Sequence, residues 1–396
     1  MDEFRNFWRK VKLRILQVLG SNMEYPSPKM GAVEKICYNL SKNLVDMGHD
    51  APVVTRYCGQ VDNSVIYLQP KVRYAPSLSQ RSFDSVRFSM NLNEYLKHNR
   101  FDIIHQHGGI NGFVISRVVR EAGAKVVLTI HNLYLASPIY QERIVATILE
   151  QTTGMRAHGV TVETEWMRRY MMRWIHDRPV TTIPLGVPEA NRLERCSARL
   201  SLGIDADRFV LLFVGRIMQA KGVLELVRAF DEVCSNLPTD PPFLAIVGPP
   251  NASFGTASSS YFDQVMQHIH ESKFRQNVAY FGFGAETILH KLYSSADAVC
   301  VPSLFEATGL VALEAMSFAL PVIATRTGGL AECVRPRQNG LLVEPGSIHQ
   351  LSDAILYLYR YPEQRKVMGS NALQHISFHH SWRSIAAKFI EFYDRV

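Results

Sequence analysis

Residues 298–316, AVCVPSLFEATGLVALEAM, carry the clearest structural signal in this sequence. The apolar run 298–302 is typical of a strand buried on both faces, Ser303 follows it in a turn, and a helical pattern begins near Thr308-Gly309. Similar apolar runs, about six in each half, alternate with amphipathic segments along nearly the whole chain. This repetition predicts parallel sheets with right-handed crossovers, and therefore an α/β protein with two Rossmann-like domains.

The composition is that of an ordinary globular chain. Its 396 residues are 47% hydrophobic and 20% charged, which excludes disordered and collagen-like classes. Six scattered cysteines without a C-x-x-C pair disfavour a disulfide scaffold or a zinc site and favour a reducing compartment. Neither a membrane span nor a signal-peptide pattern is predicted, so we expect a cytoplasmic protein. The net charge of +7 favours phosphate-bearing partners, and nothing indicates nucleic acid.

The strongest break in the pattern lies at residues 183–188, where two prolines and a glycine interrupt both helix and strand. We therefore predict a first domain over residues 1–187, a second domain over residues 188–377, and a final amphipathic helix within residues 378–396. In two-domain α/β proteins the carboxyl ends of both sheets tend to face a central cleft. The chemistry is therefore expected in the loops that follow the strands.

Two acidic side chains accompany the helix start in the opening stretch. Glu306 lies in the loop after the strand, and Glu314 lies farther along the helix. The unpaired amides near Thr308-Gly309 could bind a diphosphate, and Glu314 could accept hydrogen bonds from a ribose diol. The alternative is that Glu306 only faces the helix dipole and that Glu314 is solvated. The apolar neighbours of Glu314 argue against an open face.

Residues 213–222, FVGRIMQAKG, carry a second signal. A buried strand runs into Gly215-Arg216, and Lys221-Gly222 opens a helix. The planar fork of Arg216 and the point charge of Lys221 both suit pyrophosphate oxygens. Ordinary surface charge is the alternative, but the basic and the acidic positions all follow strands of the same domain.

With these motifs the chain resembles the family 4 retaining glycosyltransferases, which have the GT-B fold. The motifs are Gly215-Arg216-x4-Lys221-Gly222, Val247-Gly248-Pro249, Ala296-Asp297, Glu306-x7-Glu314, Pro321-Val322-Ile323, Gly328-Gly329-x2-Glu332 and Gly340-Leu341-Leu342-Val343. The resemblance implies that Arg216 and Lys221 bind the donor diphosphate. It implies that Glu314 holds the ribose and that Glu306 contacts the donor sugar near the reacting carbon. The second domain would bind the donor, the first the acceptor, and the final helix would pack back on the first.

Further donor contacts follow from the same resemblance: Gly215, Phe305, Ala307, Thr308, Gly309 and Leu310 on sugar and phosphate, and Phe283 near the base. The implied reaction moves a sugar from a UDP- or GDP-sugar to an acceptor hydroxyl of a glycan, glycolipid or small molecule. It would proceed with retention, by front-face substitution, without a metal or other cofactor. A non-catalytic nucleotide-sugar-binding protein and a GT-B nucleotide-sugar epimerase remain as alternatives. A dehydrogenase is disfavoured because no G-x-G-x-x-G opens either half.

The first half carries a weaker form of the pattern. Gly31, Ala32 and Glu34 open its clearest amphipathic helix and resemble the acceptor-side anion loop of the family. Ala32 stands where relatives usually have a second glycine. A turn that merely feeds a helix is the alternative interpretation.

Three histidines follow or end predicted strands of the first half. His131 matches a cleft histidine of the family that is expected to hydrogen-bond the transferred sugar. His107 is a candidate for the acceptor side, whereas His105 follows two buried isoleucines and is interpreted as structural. A histidine metal site is disfavoured because no acidic third ligand accompanies the pair.

Two segments imitate functional motifs. Asp205-Ala206-Asp207 spells the D-x-D of metal-dependent glycosyltransferases of another fold, but it precedes a strand and is expected away from the site. Residues 166–174, WMRRYMMRW, with the aromatic and basic residues among 4–12, could lie on a membrane surface. A core-facing helix with solvated arginines is the alternative. Peripheral contact with the inner membrane face, and a lipid-linked acceptor, therefore stay open.

Overall fold

The computed structural model describes residues 12–19, 32–55, 65–67, 88, 90–108, 123–131, 157–237, 239–250, 257–282 and 286–396. The predicted site residues Gly31 and Phe283, and the N-terminal residues 4–11, lie outside these ranges. The chain divides into two compact units, one formed by Met1–Gly186 with Trp382–Val396 and the other by Val187–Ser381. In the described residues no helix is long and apolar enough to cross a membrane.

The first unit contains a seven-stranded parallel sheet. Its elements are β1 (Ile15–Leu19), α1 (Ala32–Asp46), β2 (Val53–Thr55), β3 (Val65–Tyr67), β4 (Ile103–His107), β5 (Lys125–Ile130), β6 (Gly159–Val162), α2 (Glu165–Met171) and β7 (Val180–Thr182). The strand order is β3-β2-β1-β4-β5-β6-β7. The sequence did not predict β3, because three residues are too short for a periodic signal and lie in an irregular stretch. The chain adds β2 and β3 on one side of β1 and then β4 to β7 on the other side, so the order of strand addition reverses between β1 and β4. These two strands are parallel neighbours, and their carboxyl ends therefore lie side by side at the reversal point.

The second unit contains a six-stranded parallel sheet in the order β10-β9-β8-β11-β12-β13. Its elements are α3 (Arg195–Ser201), β8 (Val210–Val214), α4 (Val223–Asn236), β9 (Phe243–Val247), α5 (Ala257–Glu271), β10 (Val278–Tyr280), α6 (Glu286–Ser295), β11 (Ala298–Val301), α7 (Leu310–Ser317), β12 (Val322–Thr325), α8 (Leu330–Cys333), β13 (Gly340–Val343), α9 (Ile348–Arg360) and α10 (Pro362–His379). In this sheet the order of strand addition reverses between the neighbouring strands β8 and β11. The predicted α/β fold with two parallel sheets is confirmed.

The last helix, α11 (Trp382–Tyr393), belongs to the first unit and packs against α1. Residues 378 and 379, which the sequence placed with this helix, instead complete α10. Gly186 allows the close approach of the Trp382 indole, since a Cβ atom at 186 would lie 2.4 Å from the ring. At the other end of α11, the Tyr393 hydroxyl lies 2.7 Å from His105 Nδ1.

A buried charge cluster ties α3 and α10 to the sheet of the second unit. Asp297, just before β11, accepts from Arg195 at 2.5 Å, from Arg199 at 2.7 Å and from the Val210 amide at 2.9 Å. Arg365 of α10 lies 3.1 Å from the same carboxylate. Arg199 and Asp297 side chains are each 1% exposed. Burial lowers the pKa of the Arg199 guanidinium, and the facing Asp297 carboxylate opposes this shift.

Candidate functional site

Arg216 lies at the carboxyl end of β8, where the order of strand addition in the second sheet reverses. Gly215 continues the pairing with β9, because its amide donates to Val247 O at 3.0 Å. The Gly248 turn lies so close that a Cβ atom there would be 1.8 Å from Gly215 O. The Arg216 side chain is exposed and has no polar partner in the described part of the chain. It is therefore available to an anionic ligand.

Lys221 ends a 3₁₀ turn that precedes α4, so the helix begins at Val223 rather than at Lys221. Gly222 caps α4 with a φ of 64°, and a Cβ atom there would lie 2.1 Å from Pro302 O. The Leu304 amide donates to Ala220 O at 2.9 Å. The loops after β8 and β11 are thus in direct backbone contact.

This contact brings together two residues that the sequence predicted separately. Lys221 Nζ forms an ion pair with Glu306 Oε2, and the two side chains are 23% and 16% exposed. The sequence expected both to contact the donor, but it did not predict that they pair with each other. A diphosphate that binds Lys221 must therefore compete with the Glu306 carboxylate or share the lysine with it.

The loop that carries Glu306 is held from its other side by Gly328-Gly329, after β12. The Gly329 amide donates to Glu306 O at 3.1 Å, and the Thr325 hydroxyl donates to Ser303 O at 2.5 Å. Gly328 has a φ of 43°, and a Cβ atom there would lie 2.1 Å from Glu306 O. The glycine pair therefore fixes the backbone position of Glu306.

Gly328→Ala is expected to lower both stability and donor affinity, because the new methyl group would displace the Glu306 backbone. The left-handed conformation adds strain of about 1 kcal/mol or more. Urea unfolding and nucleotide titration measure the two effects. Gly346→Ala is the matched control, since it has a φ of 78° but only an ordinary contact at 3.9 Å. Equal donor affinity in the two variants would contradict this role of Gly328.

Helix α7 begins at Leu310, and Gly309 caps it with a φ of 83° and no side-chain hydrogen bond. The first amides of a helix have no partner within the helix and can therefore bind an anion. Ala307 and Gly309 are buried, whereas Phe305, Thr308 and Leu310 are half-buried. Apart from Phe283, the predicted donor-contacting residues therefore lie in the loops that follow β8 and β11 or, for Leu310 and Glu314, in α7.

Glu314 lies one turn into α7 and is half-buried, so the solvated alternative is not what the structure shows. Its Oε2 accepts from the Tyr293 hydroxyl at 3.2 Å. Burial and the adjacent Glu314 carboxylate raise the pKa of Tyr293 well above its usual range, so the phenol keeps its proton. The Tyr293 ring stacks on Phe318 at 4.9 Å. The sequence did not identify Tyr293, because its partner is 21 residues away.

In the first unit, polar side chains from four adjacent strands and the residues that follow them form one buried chain of hydrogen bonds. His107 Nε2 lies 2.7 Å from Gln17 Oε1, and His107 Nδ1 lies 3.0 Å from His131 Nε2. His131 Nδ1 lies 2.5 Å from Glu163 Oε1. Both ring nitrogens of His131 are therefore engaged within the protein. The contact of His131 with a transferred sugar remains a prediction.

His105 belongs to a separate branch of this buried network. Its Nε2 lies 2.6 Å from the Thr129 hydroxyl, and its other nitrogen meets Tyr393. Burial, with a smaller contribution from the charge of His131, lowers the pKa of His105 to about 3. His105 is therefore neutral at physiological pH and links the sheet to α11.

The remaining predicted residues lie as follows. Ala32 is the first residue of α1, and Glu34 is a buried residue of its first turn, 5% exposed. Asp205-Ala206-Asp207 lies in the turn before β8, where Asp205 O and Ala206 O accept from buried Arg199.

In α2, Met167 and Met171 are buried, whereas Trp174 beyond its end is 47% exposed. Among the described residues no three His, Cys, Asp or Glu side chains form a metal-binding group.

Known proteins of one family are similar to this chain. The profile described as Glycosyltransferase Family 4 matches residues 33–191, and Glycosyl transferases group 1 matches residues 196–375. A D-inositol 3-phosphate glycosyltransferase of Rhodococcus erythropolis is 30% identical over 97% of this chain and 91% of the relative. This chain belongs to the family 4 glycosyltransferases. The enzyme is thus a glycosyltransferase, as the sequence predicted.

Solved structures show the same fold for this family 4 enzyme. Sucrose-phosphate synthase of Thermosynechococcus elongatus superposes with a TM-score of 0.82 at 23% identity, covering 96% of this chain and 98% of the other. HepE of Anabaena, in complex with UDP-glucose, has a TM-score of 0.75 at 21% identity and covers 97% and 100%. Both support the GT-B fold for this chain.

Proposed function

We propose that this enzyme transfers a sugar from a nucleoside diphosphate sugar to an acceptor hydroxyl with retention at the anomeric carbon. The observation that carries the proposal is the convergence of Arg216, Lys221 and Glu306 at the reversal point of the second sheet, beside the first turn of α7. Ligands of open α/β sheets bind at such reversal points. The cations and helix amides suit a diphosphate, and a carboxylate beside them suits an oxocarbenium-like sugar.

In the proposed roles, Arg216, Lys221 and the amides of α7 bind the diphosphate, and Glu314, held by Tyr293, binds the ribose diol. The backbone of residues 305–310 would line the sugar and phosphate. The base is expected near Phe283, outside the described residues. UDP is the preferred nucleotide because the similar HepE structure is a complex with UDP-glucose, and a GDP-sugar is the second choice.

The proposed chemistry is front-face substitution. The bond between the anomeric carbon and the β-phosphate oxygen breaks, and the acceptor oxygen forms its new bond on the same face. The acceptor proton passes to the leaving phosphate oxygen. Arg216, Lys221 and the α7 amides stabilise the leaving diphosphate, so these groups supply the charge that a divalent metal would otherwise provide.

The first unit is the proposed acceptor-binding half. Ala32 and Glu34 at the start of α1 with Gly31, and His107 at the end of β4, are the residues proposed for this side. His131 is the proposed contact for the transferred sugar. Trp174 is exposed and could contact a membrane surface. The proposal therefore includes peripheral membrane contact and a lipid-linked acceptor.

Donor binding is tested first, by thermal unfolding with a panel of nucleoside diphosphates and nucleotide sugars, with and without chelator. A ligand at about a hundredfold its Kd adds roughly 2.7 kcal/mol of stability, and a shift of a few degrees in Tm is expected. Arg216→Ala should weaken UDP binding about 10- to 100-fold, the value of one charge-assisted hydrogen bond. Arg228→Ala, at an exposed position of α4, is the matched control.

The outcomes separate the proposal from its alternatives. A chelator-resistant shift with UDP that Arg216→Ala abolishes supports donor binding through this site. No shift with any nucleotide, from a folded sample, would contradict it. An acceptor screen then distinguishes a transferase from an epimerase, which would convert the donor sugar without any acceptor, and from a non-catalytic binding protein, which would leave the donor intact.

A further inference from the structure

Tyr293 has no contact with the donor in the proposed reaction, yet its hydroxyl donates to the carboxylate that is proposed to bind the ribose. We propose that Tyr293 is a positioning residue that makes the donor site selective for ribonucleoside diphosphates over their 2′-deoxy analogues. This inference rests on the proposed function, which assigns the ribose diol to Glu314. Tyr293 acts by fixing the orientation of the Glu314 carboxylate before the donor binds.

The hydrogen of this contact belongs to Tyr293. The residue lies in α6, two positions before the helix ends, and is 2% exposed. Its hydroxyl oxygen is 3.2 Å from Glu314 Oε2. Burial and the adjacent Glu314 carboxylate raise the pKa of Tyr293 well above its usual range, so the phenol keeps its proton. An ionised carboxylate can only accept in such a contact, and Tyr293 therefore donates to Glu314.

A neighbouring ring holds the Tyr293 hydroxyl in place. Tyr293 stacks on Phe318, with ring centroids 4.9 Å apart and ring planes within 19° of each other. Phe318 caps the C-terminus of α7, the helix that carries Glu314. Tyr293 is thus linked to α7 twice, through the hydrogen bond and through the ring stack. The hydroxyl therefore keeps its position relative to the carboxylate.

The contact of Ser317 with Glu314 has no such effect on the side chain. The Ser317 hydroxyl donates to the backbone carbonyl oxygen of Glu314 at 2.7 Å, so it does not orient the carboxylate. A glutamate side chain has several rotatable bonds and loses much rotamer freedom when it is fixed. Because Tyr293 fixes one carboxylate oxygen before the donor arrives, less of this freedom is lost on binding.

The consequence concerns the 2′-hydroxyl of the ribose. The two oxygens of a carboxylate offer about four acceptor positions, so one carboxylate can accept from a tyrosine and from both hydroxyls of a ribose diol. A site built to bind a hydroxyl rejects the analogue that lacks it, because the polar group of the site then loses a partner. Glu314 is half-buried, so water replaces that partner poorly. Selectivity for ribose therefore depends on the carboxylate orientation that Tyr293 provides.

Calorimetric titration with two ligands tests the inference. The ligands are the nucleoside diphosphate that gives the largest shift in Tm, which we expect to be UDP, and its 2′-deoxy analogue. The wild type should bind UDP about 10- to 100-fold more tightly than 2′-deoxy-UDP, the value of one hydrogen bond to a charged group. Tyr293→Phe removes the hydroxyl but keeps the ring stack. In this variant the ratio of the two affinities should fall about 3- to 10-fold, mainly through weaker UDP binding.

Tyr359→Phe is the matched control. The Tyr359 hydroxyl, on α9, donates to the Asp240 carboxylate at 2.7 Å, and Asp240 precedes the amino end of β9. This substitution removes the same kind of hydrogen bond at the opposite end of the strands from the proposed site, so the ratio of affinities should not change. A purely structural role of Tyr293 would likewise lower the Tm of Tyr293→Phe and leave the ratio unchanged.

Glu314→Gln distinguishes a failure of this inference from a failure of the proposed function. An unchanged ratio in Tyr293→Phe would overturn the inference, and a lowered ratio in Glu314→Gln would at the same time support the proposed ribose contact. Equal binding of the two ligands by the wild type would overturn the inference together with that contact. If Tyr293→Phe does not fold, Phe318→Leu decides, because it removes the ring stack and keeps the hydroxyl. The ratio should then fall, and an unchanged ratio would overturn the inference.

Discussion

Glu306→Gln is expected to lower kcat about 10²- to 10³-fold, the loss seen when one preorganised electrostatic group is removed from an active site. Positive charge develops at the anomeric carbon in the proposed transition state, and a neutral amide stabilises it poorly. The same substitution releases Lys221 from its ion pair, so the diphosphate meets an uncompensated cation. UDP binding should therefore be kept or strengthened. Steady-state kcat at saturating donor and calorimetric titration with UDP measure the two effects.

The opposite directions of the two effects make this prediction specific. A variant that merely disturbed the loop would lose binding together with turnover, because Gly328-Gly329 and Ala220 hold the same backbone. Glu232→Gln, on the exposed face of α4, is the matched control and should change neither quantity. Full activity in Glu306→Gln would mean that its carboxylate has no part in catalysis.

Asp297→Ala is expected to reduce the free energy of unfolding by about 3–5 kcal/mol, because it removes the shared anion of a buried ion-pair cluster. Arg199, 1% exposed, would be left charged without its carboxylate, and the Val210 amide would lose its acceptor. For a chain with compact units of this size the Tm should fall by roughly 10 °C. Urea and thermal unfolding of the purified variant provide the measurement.

The cluster contains its own control. Arg195 contacts the same carboxylate, but its side chain is 47% exposed, so Arg195→Ala should change stability by less than about 1 kcal/mol. Arg199→Ala should resemble Asp297→Ala. Similar losses in the Arg195 and Arg199 variants would show that burial does not determine the contribution of each pair.

The fold was predictable from sequence because each parallel strand is a run of buried apolar residues. Of the thirteen strands in the described residues, twelve were expected, and β3 was missed because three residues carry no period. The predicted starts of two helices lie one or two residues before the observed starts. Gly222 and Gly309 cap these helices and are not their first residues. The positions of Arg216 and Glu306 after strands followed from the same pattern.

Glu163 shows why part of the site was missed. It follows β6 as His131 follows β5, and a systematic search for polar residues after apolar runs would have found it. The pattern does not reveal that the two side chains meet, because β5 and β6 become neighbours only in the folded sheet. Tyr293 was likewise unremarkable as an isolated residue, and Asp297 was noted only as part of the Ala296-Asp297 motif. Their roles depend on partners in other elements.

Local sequence therefore accounts for the α/β class, the strands and the candidate donor ligands, because side-chain period and strand-end position are properties of short segments. Tertiary structure accounts for the partners: Lys221 with Glu306, Tyr293 with Glu314, His131 with Glu163 and Asp297 with its arginines. These pairs join residues 21 to 102 positions apart. The strand order and close glycine contacts bring them together, and charge pairing at such separations depends on distance in space, which no short segment encodes.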